Sequence, residues 1–162
     1  MKTQTKSNSL GGILVLLAFA LLIVCLLMVL LTGADVVNRL TERDKVNYDR
    51  RTAVSYMTMR IRQSDSDGVL SVGNYSDGDA LIITEDIEGI SFQTVIYCYN
   101  GYLYELFCRE GYTPDPEFGE KILPADSMSV CDMGTHLEVS VTVGGKQDTF
   151  NCMLRSRQGG AE

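Results

Sequence analysis

The sequence predicts an α+β protein in which a long N-terminal helix, half of it in a membrane and half amphipathic, packs on an antiparallel β-sheet. Three observations predict this fold class. An uninterrupted apolar run covers residues 10–31, a charged segment without Gly or Pro covers residues 35–63, and apolar residues from position 69 onwards alternate with the two-residue period of strands. At 162 residues the chain is long enough for one hydrophobic core beside a membrane segment.

Charge is distributed unevenly along the chain. Residues 1–34 contain two basic groups, residues 35–63 contain seven basic and four acidic groups, and residues 64–162 contain five basic and seventeen acidic groups. The three blocks therefore carry +2, +3 and −12, which sum to the net charge of −7. An acidic C-terminal domain would repel phosphates, so the composition argues against a nucleic-acid partner.

The apolar run predicts a transmembrane helix. Its central part, Ile13 to Leu31, spans about 28 Å as an α-helix, close to the thickness of a hydrocarbon core. A cleaved secretory signal, with Thr32, Gly33 and Ala34 as the small-residue site, is the alternative, but its apolar region is ordinarily only about 7–15 residues long. We therefore expect a retained anchor with the lipid bilayer as a partner.

The orientation of this anchor is predicted from its basic tail. The residues before the span carry only Lys2 and Lys6, which favours a cytoplasmic N-terminus. Arg39, Arg43 and Lys45 beyond the span favour the opposite side, but long domains are translocated largely regardless of charge. We expect a cell-membrane protein with an extracytoplasmic C-terminal domain.

The predicted organisation has five parts. They are a basic cytoplasmic leader at 1–12, a transmembrane helix at 13–34, an amphipathic stalk helix at 35–63, an antiparallel β head at 64–157 and a flexible tail at 158–162. Asp65, Ser66, Asp67 and Gly68 are expected to end the helix. Val54, Met57 and Ile61 fall at helical spacing and are expected to cover the apolar face of the sheet.

The head contains two well-specified hairpins. Asn100-Gly101 and Gly144-Gly145 are dipeptides that suit two-residue turns. The second turn places Leu137, Val139, Val141, Phe150, Cys152 and Leu154 on one face. The predicted strands are 69–72, 80–84, 90–99, 102–107, 128–131, 137–143 and 149–154, and residues 112–119, with Pro114 and Pro116, are predicted to form a surface loop.

Four head cysteines are candidates for disulfides, namely Cys98, Cys108, Cys131 and Cys152. Two bridges would allow three connectivities, and the sequence does not choose among them. The Asn100-Gly101 hairpin puts Cys98 and Cys108 on opposite faces, so a bridge between them needs a broken register. Cys152 is equally well interpreted as a packed thiol, and the intramembrane Cys25 as a small apolar group.

No other residue pattern predicts chemistry. The cysteines lack close spacings for zinc, the acidic turns at Asp65 and Asp77 lack the ligand series of a calcium loop, and His136 has no nucleophile motif nearby. We therefore predict no enzyme, no metal, no cofactor and no evident small-molecule substrate. Four tyrosines are either a contact patch for a protein partner or ordinary cross-strand packing: Tyr97, Tyr99, Tyr102 and Tyr104.

The order of elements resembles that of type IV pilins and pseudopilins. A basic leader ending in Gly12 precedes an apolar helix, which continues into an amphipathic helix and then a sheet. Residues 50–65 (RRTAVSYMTMRIRQSD) resemble the stalk end of minor pseudopilins of type II secretion and competence pili, and residues 96–105 (IYCYNGYLYE) resemble their tyrosine-rich hairpin. The chain also resembles a Gram-positive family of small single-pass proteins known as a domain of unknown function.

The resemblance implies a leader cleaved between Gly12 and Ile13 and contacts with other pilin-like subunits through the membrane helix and the head. Pilin-like proteins usually carry glutamate at the fifth mature position, where this chain has Leu17. The expected function is that of a non-enzymatic minor-pseudopilin-like component of a secretion, competence or pilus-type assembly. The alternative is a membrane-anchored extracytoplasmic binding or sensing module that does not assemble.

Overall fold

The computed structural model describes residues 7–66 and 69–156. These residues form one long helix, α1 (Ser7–Gln63), and eight strands: β1 (Leu70–Tyr75), β2 (Gly78–Ile87), β3 (Ile90–Tyr99), β4 (Tyr102–Arg109), β5 (Glu120–Pro124), β6 (Ser127–Asp132), β7 (His136–Val143) and β8 (Lys146–Met153). The first six leader residues, the Asp67-Gly68 part of the predicted helix stop and the predicted tail at 158–162 lie outside the described residues. The fold class is α+β, as the sequence predicts.

The chain divides into two compact units between Asp44 and Lys45. In the first unit, Gly11–Gly33 is a helical stretch of 23 residues that is long and apolar enough to cross a membrane, and none of it is buried within the chain. A stretch of this length and composition near the N-terminus is compatible with a transmembrane helix or a signal sequence. The predicted span, Ile13 to Leu31, lies inside it.

In the second unit, β1 to β5 form a five-stranded antiparallel sheet in chain order. Residues 110–119 connect β4 to β5. Between the first four strands, two-residue turns with positive φ reverse the chain. The predicted turn at Asn100 and Gly101 is one of these, with φ of 47° and 76°, and it pairs Tyr99 with Tyr102 as predicted. This hairpin is confirmed.

Strands β6 to β8 form a separate three-stranded antiparallel sheet. Its Gly144-Gly145 turn pairs Val143 with Lys146, and Leu137 faces Cys152, so the second predicted hairpin is also confirmed. Buried and half-buried positions alternate along the whole of β7. The sequence predicts antiparallel strands correctly, and the structure divides them between two sheets.

The main core lies where the helix meets both sheets. Ala53, Met57 and Ile61 of α1 are completely buried. They belong to one cluster with inward-facing residues of both sheets, among which are Leu81, Ile83, Ile96, Leu103, Leu137, Val139 and Val141. Burial of each large apolar side chain contributes about 1.5–3 kcal/mol, so this helical face is a major source of the stability of the head.

Two elements of the five-stranded sheet are not predicted from the sequence. Strand β5 follows a short 3₁₀ turn at Pro116–Phe118 and pairs with β4 at the edge of the sheet. The turn between β1 and β2 uses Ser76 and Asp77, with φ of 53° and 61°, in place of glycine. The strands on both sides extend further towards this turn than their apolar residues indicate.

Replacing Met57 with alanine is expected to destabilise the head by about 2–5 kcal/mol, because it leaves a cavity in the main core. Met59, on the same helix, is 47% exposed, so Met59→Ala is the matched control and should change the free energy of unfolding by about 0.5 kcal/mol or less. Urea unfolding of the full chain in detergent micelles, followed by tyrosine fluorescence, would measure both values. Equal losses in the two variants would contradict this placement of the helix face.

Candidate functional site

The four predicted patch tyrosines share the face of the five-stranded sheet that is opposite the main core. Tyr97 is paired with Tyr104 across β3 and β4, and Tyr99 is paired with Tyr102. Tyr97 and Tyr104 stack with ring centroids 5.9 Å apart, and Tyr75 of β1 lies 4.6 Å from Tyr97 on the other side. Together with Ala80, Val95 and Leu106, these rings form a second, smaller core.

A segment that we name the strap, residues 110–119, covers part of this second core. The Tyr97 hydroxyl donates a hydrogen bond to the Pro116 carbonyl at 2.7 Å, and the Tyr75 hydroxyl donates one to the Pro114 carbonyl. At Gly119 an added Cβ would collide with the Tyr97 hydroxyl and lie 3.3 Å from the backbone oxygen of Glu105. Glycine is therefore required here for the close approach of the strap to the sheet.

The burial of Tyr97 corrects the predicted contact patch. Tyr97 has no exposed surface, so it is a core residue and cannot form part of a surface as the head is folded. Tyr99, Tyr102 and Tyr104 are half-buried. Tyr102 also lies under the Lys121 ammonium, 3.1 Å from the ring centroid. The cross-strand pairs Tyr97–Tyr104 and Tyr99–Tyr102 are part of the packing of this sheet.

On the other face of the same sheet, Glu105 connects β4 to helix α1. Its carboxylate accepts hydrogen bonds from the Arg60 guanidinium and from the Tyr56 hydroxyl. Burial, together with the neighbouring Glu105 carboxylate, raises the pKa of Tyr56. The Nε of Arg60 is buried and has no hydrogen-bond partner, so Glu105 is the group that offsets the cost of enclosing this guanidinium.

Two further groups of polar contacts connect helix α1 and the residue region just after it to β8 and the segment that follows β8. Arg50 of α1 forms a two-point ion pair with Asp148, with Nε 2.8 Å from Oδ2. Asp65, just after the helix, accepts hydrogen bonds from the backbone N–H of Arg155 at 2.6 Å and of Ser156 at 3.2 Å. Although burial acts in the opposite direction, these bonds and one from the Ser156 hydroxyl hold the pKa of Asp65 below its usual value.

All five cysteines lie in described parts of the chain, and all are free thiols. Cys98 is paired with Leu103 and Cys108 with Gln93, which places the two cysteines on opposite faces as predicted. Cys108 and Cys152 are buried, whereas Cys131 is exposed. Cys152 packs in the main core, and this placement agrees with its interpretation as a packed thiol.

The two core-facing thiols have raised pKa values. Burial, with a smaller effect of the Asp126 carboxylate, raises the pKa of Cys98 to about 12. Burial also raises the pKa of Cys152, although the Thr58 hydroxyl and the Arg62 charge act in the opposite direction. Both groups are therefore neutral thiols at physiological pH, and thiols are much weaker nucleophiles than thiolates.

The histidine and the acidic turns have local structural partners. His136 opens β7, with Nδ1 3.2 Å from the Thr135 hydroxyl. Asp79, from the second acidic turn, accepts hydrogen bonds from Ser129 Oγ at 2.8 Å and from the N–H of Val130 at 3.2 Å, which ties β2 to β6. Across residues 7–66 and 69–156, no three His, Cys, Asp or Glu side chains lie close enough to hold a metal ion.

The candidate processing site lies on the helix of the first unit. Gly12 and Ile13 are both helical, and neither Gly11 nor Gly12 has another group within 4 Å of the position of an added Cβ. Ile13 and Leu31, the predicted ends of the span, are 60% and 70% exposed. The structure therefore leaves this segment free for contact with lipid or other helices.

A concave pocket of about 470 Å³ lies beside the end of the helix in the second unit. Its lining residues come from three places in the chain: Arg62 and Asp65 at the helix end, Asn151 and Met153 on β8, and Arg155 just after β8. It combines charged, amide and apolar side chains in one concavity, as small-molecule sites do.

A family model described as "Domain of unknown function (DUF4860)" matches residues 48–143. The chain belongs to the DUF4860 family. The match begins in the helix at Tyr48 and ends with β7, so it includes the helical core residues, the whole five-stranded sheet and two strands of the smaller sheet. No curated protein and no solved structure matches the chain.

Sequence reasoning missed both Glu105 and the pocket in this DUF4860 protein. Glu105 did have a signal, because it shares a face of β4 with the buried Leu103, and an inward-facing charge in a strand requires a partner. The pocket had no such signal. In the sequence, 92 residues lie between Arg62 and Arg155, and only the fold brings the two arginines together.

Glu105→Gln is expected to destabilise the head by about 1–3 kcal/mol, because it leaves the half-buried Arg60 guanidinium without a carboxylate. Glu110→Gln is the matched control, since Glu110 is exposed at the start of the strap and should change stability by about 0.5 kcal/mol or less. Denaturant unfolding of both full-length variants checks this. If the two variants unfold alike, Glu105 does not stabilise the attachment of the helix.

Thiol labelling at mildly alkaline pH should distinguish Cys131 from the two core thiols. Cys131 is exposed, and we expect it to react with iodoacetamide well before Cys98 and Cys152, whose raised pKa values and burial protect them. Mass spectrometry of the labelled full chain reads out each site, with Cys131→Ser as the control. Rapid modification of Cys98 in the folded protein would contradict its placement.

The raised pKa of Cys98 predicts a loss of stability in alkaline solution. The pKa of Cys98 is about 12 in the folded head against an ordinary value of 9.0, so its contribution to stability is intact below pH 9. Above pH 9 the unfolded chain ionises first, and the contribution decreases until the folded pKa is reached. Cys98→Ala should flatten this part of the curve of unfolding free energy against pH, and an unchanged curve would contradict the assignment.

Proposed function

We propose that this DUF4860 protein is a non-enzymatic, single-pass membrane protein that acts as a minor-pseudopilin-like component of a secretion, competence or pilus-type assembly. In this proposal its N-terminus is cytoplasmic and its head is extracytoplasmic. Its partners are the lipid bilayer and other pilin-like subunits, contacted through the membrane helix and the head.

One observation carries the proposal. The apolar stretch Gly11–Gly33 and the core residues Ala53, Met57 and Ile61 belong to the same helix, α1. The element that would anchor the protein is therefore also the element around which the head is built. This is the order of a membrane helix, an amphipathic helix and an antiparallel sheet on which the resemblance to pseudopilins rests.

The exposed side chains of the apolar stretch support association with other helices. All of its large apolar residues are at least 53% exposed, so none is used to stabilise the chain itself. In lipid, helices associate through close packing, which is easiest at small residues such as Gly33. Gly33 has no other group within 4 Å of an added Cβ, which leaves room for a neighbouring helix.

A second candidate function is a membrane-anchored extracytoplasmic binding or sensing module that does not assemble. The observation that favours it is the pocket bounded by Arg62, Asn151, Met153 and Arg155, because a module of this kind needs a ligand site in its head. This candidate requires a retained N-terminal segment and a head that acts alone.

The N-terminal sequence and mass of the protein recovered from its native membrane would separate the two. For an assembling subunit we expect cleavage between Gly12 and Ile13, because a prepilin-type peptidase would remove the basic leader. Gly12→Leu should abolish cleavage, whereas Gly11→Leu, at the neighbouring open position, should leave it intact. Intact mass spectrometry of the three proteins provides the comparison.

Other termini would contradict the proposal in different ways. An uncleaved chain that begins at Met1 or Lys2 would overturn the pseudopilin-like role and favour the second candidate. A chain that begins at Asp35 would overturn both candidates, because removal of the apolar stretch would release the head from the membrane.

A further inference from the structure

Two arginines line the pocket at the helix end, and within residues 7–66 and 69–156 neither has an ion-pair partner. Arg62 is in the last turn of α1 and Arg155 follows β8, and both side chains are exposed. Within the described ranges, neither guanidinium donates a hydrogen bond or lies within 4.0 Å of a carboxylate oxygen, whereas Arg50 and Arg60 each do.

The one carboxylate in the lining is occupied by the backbone. Asp65 Oδ2 accepts a hydrogen bond from the backbone N–H of Arg155. Asp65 Oδ1 accepts hydrogen bonds from the backbone N–H of Ser156 at 3.2 Å and from its hydroxyl at 2.8 Å. It interacts with the Arg155 charge only at longer range. Asp65 therefore fixes the backbone that carries Arg155.

The remaining lining suits an organic molecule. Asn151 supplies an amide that can both donate and accept hydrogen bonds, and Met153, which is 63% exposed, supplies an apolar and adaptable wall. The volume of about 470 Å³ lies within the range of small-molecule sites and is much larger than an inorganic ion needs.

We propose that this pocket binds a small organic anion that carries carboxylate or phosphate groups. The planar guanidinium groups of Arg62 and Arg155 match the two-point geometry of both oxyanions, and Asn151 and Met153 contact the rest of the molecule. This inference goes beyond the role proposed above and holds whether or not the protein assembles. Because both arginines are exposed, binding depends on ionic strength.

The test follows the methyl resonance of Met153 in the full chain, labelled with [¹³C-methyl]methionine and held in zwitterionic detergent micelles. Succinate and inorganic phosphate are the two anionic probes, and succinamide, which has the shape of succinate without its charge, is the neutral control. We expect at least one of the two anions to shift the Met153 signal saturably. Met133, which is 53% exposed and lies outside the pocket, should not shift.

The relative effects of the two anions distinguish the chemical source. Tighter binding of succinate points to a carboxylate ligand, and tighter binding of phosphate points to a phosphorylated one. No saturable shift with either anion would overturn the proposal, as would an equal response to succinamide.

Variants assign the binding to the two arginines. Arg62→Gln and Arg155→Gln should each weaken the binding of the succinate or phosphate probe about tenfold, equivalent to one lost charge-assisted interaction of about 1.4 kcal/mol. Arg109→Gln removes an exposed arginine of β4 that does not line the pocket and should leave the affinity unchanged. Arg62→Lys, which keeps the charge but loses the two-point geometry, should give an intermediate affinity.

Two results would overturn the assignment. If both glutamine variants bind like the original chain, the arginines do not form the site. If Arg109→Gln weakens binding as much as they do, the effect comes from the total charge of the head. The signal of the buried Met57 reports folding in every variant, so a loss of binding through unfolding is recognised directly.

Discussion

The burial of one helical face between two sheets is the constraint on which the rest of the head depends. Ala53, Met57 and Ile61 are completely enclosed, and the residues that enclose them come from both the five-stranded and the three-stranded sheet. Neither sheet by itself could cover its apolar face. The two sheets therefore share the helix as a common core element, and the direct tie from Asp79 to β6 joins them at a second place.

Polar contacts surround this core and fix the position of the helix. Glu105 binds Arg60 and Tyr56 on the side of the larger sheet, and Asp148 binds Arg50 on the side of the smaller one. An ion pair that is partly enclosed adds less to stability than its charge suggests, because both groups lose water. The ion pairs instead fix the position of the helix, since each arginine meets a carboxylate in only one placement of the helix.

The opposite face of the larger sheet needs a cover of its own. The strap covers part of the cluster of Tyr75, Tyr97 and Tyr104, and its carbonyls accept hydrogen bonds from the hydroxyls of Tyr75 and Tyr97. This second core removes Tyr97 from the surface. Tyr97 is therefore not available for contact with another molecule in the folded head, whereas Tyr99, Tyr102 and Tyr104 are half-buried.

The sequence by itself determined the local features. The apolar run of α1, the helical face through Met57 and Ile61, the two glycine-containing hairpins and the alternation of β7 all follow from contacts between near neighbours, which residue type and spacing encode directly. The opposite faces of Cys98 and Cys108 follow in the same way from the register of one hairpin.

The tertiary structure alone decided what depends on residues far apart in the chain. The division into two sheets, the edge strand β5, the burial of Tyr97 beneath the strap, the partnership of Glu105 with Arg60 and the meeting of Arg62 with Arg155 each require distant segments to come together. No local pattern carries that information, because such contacts are selected by the packing of the whole head.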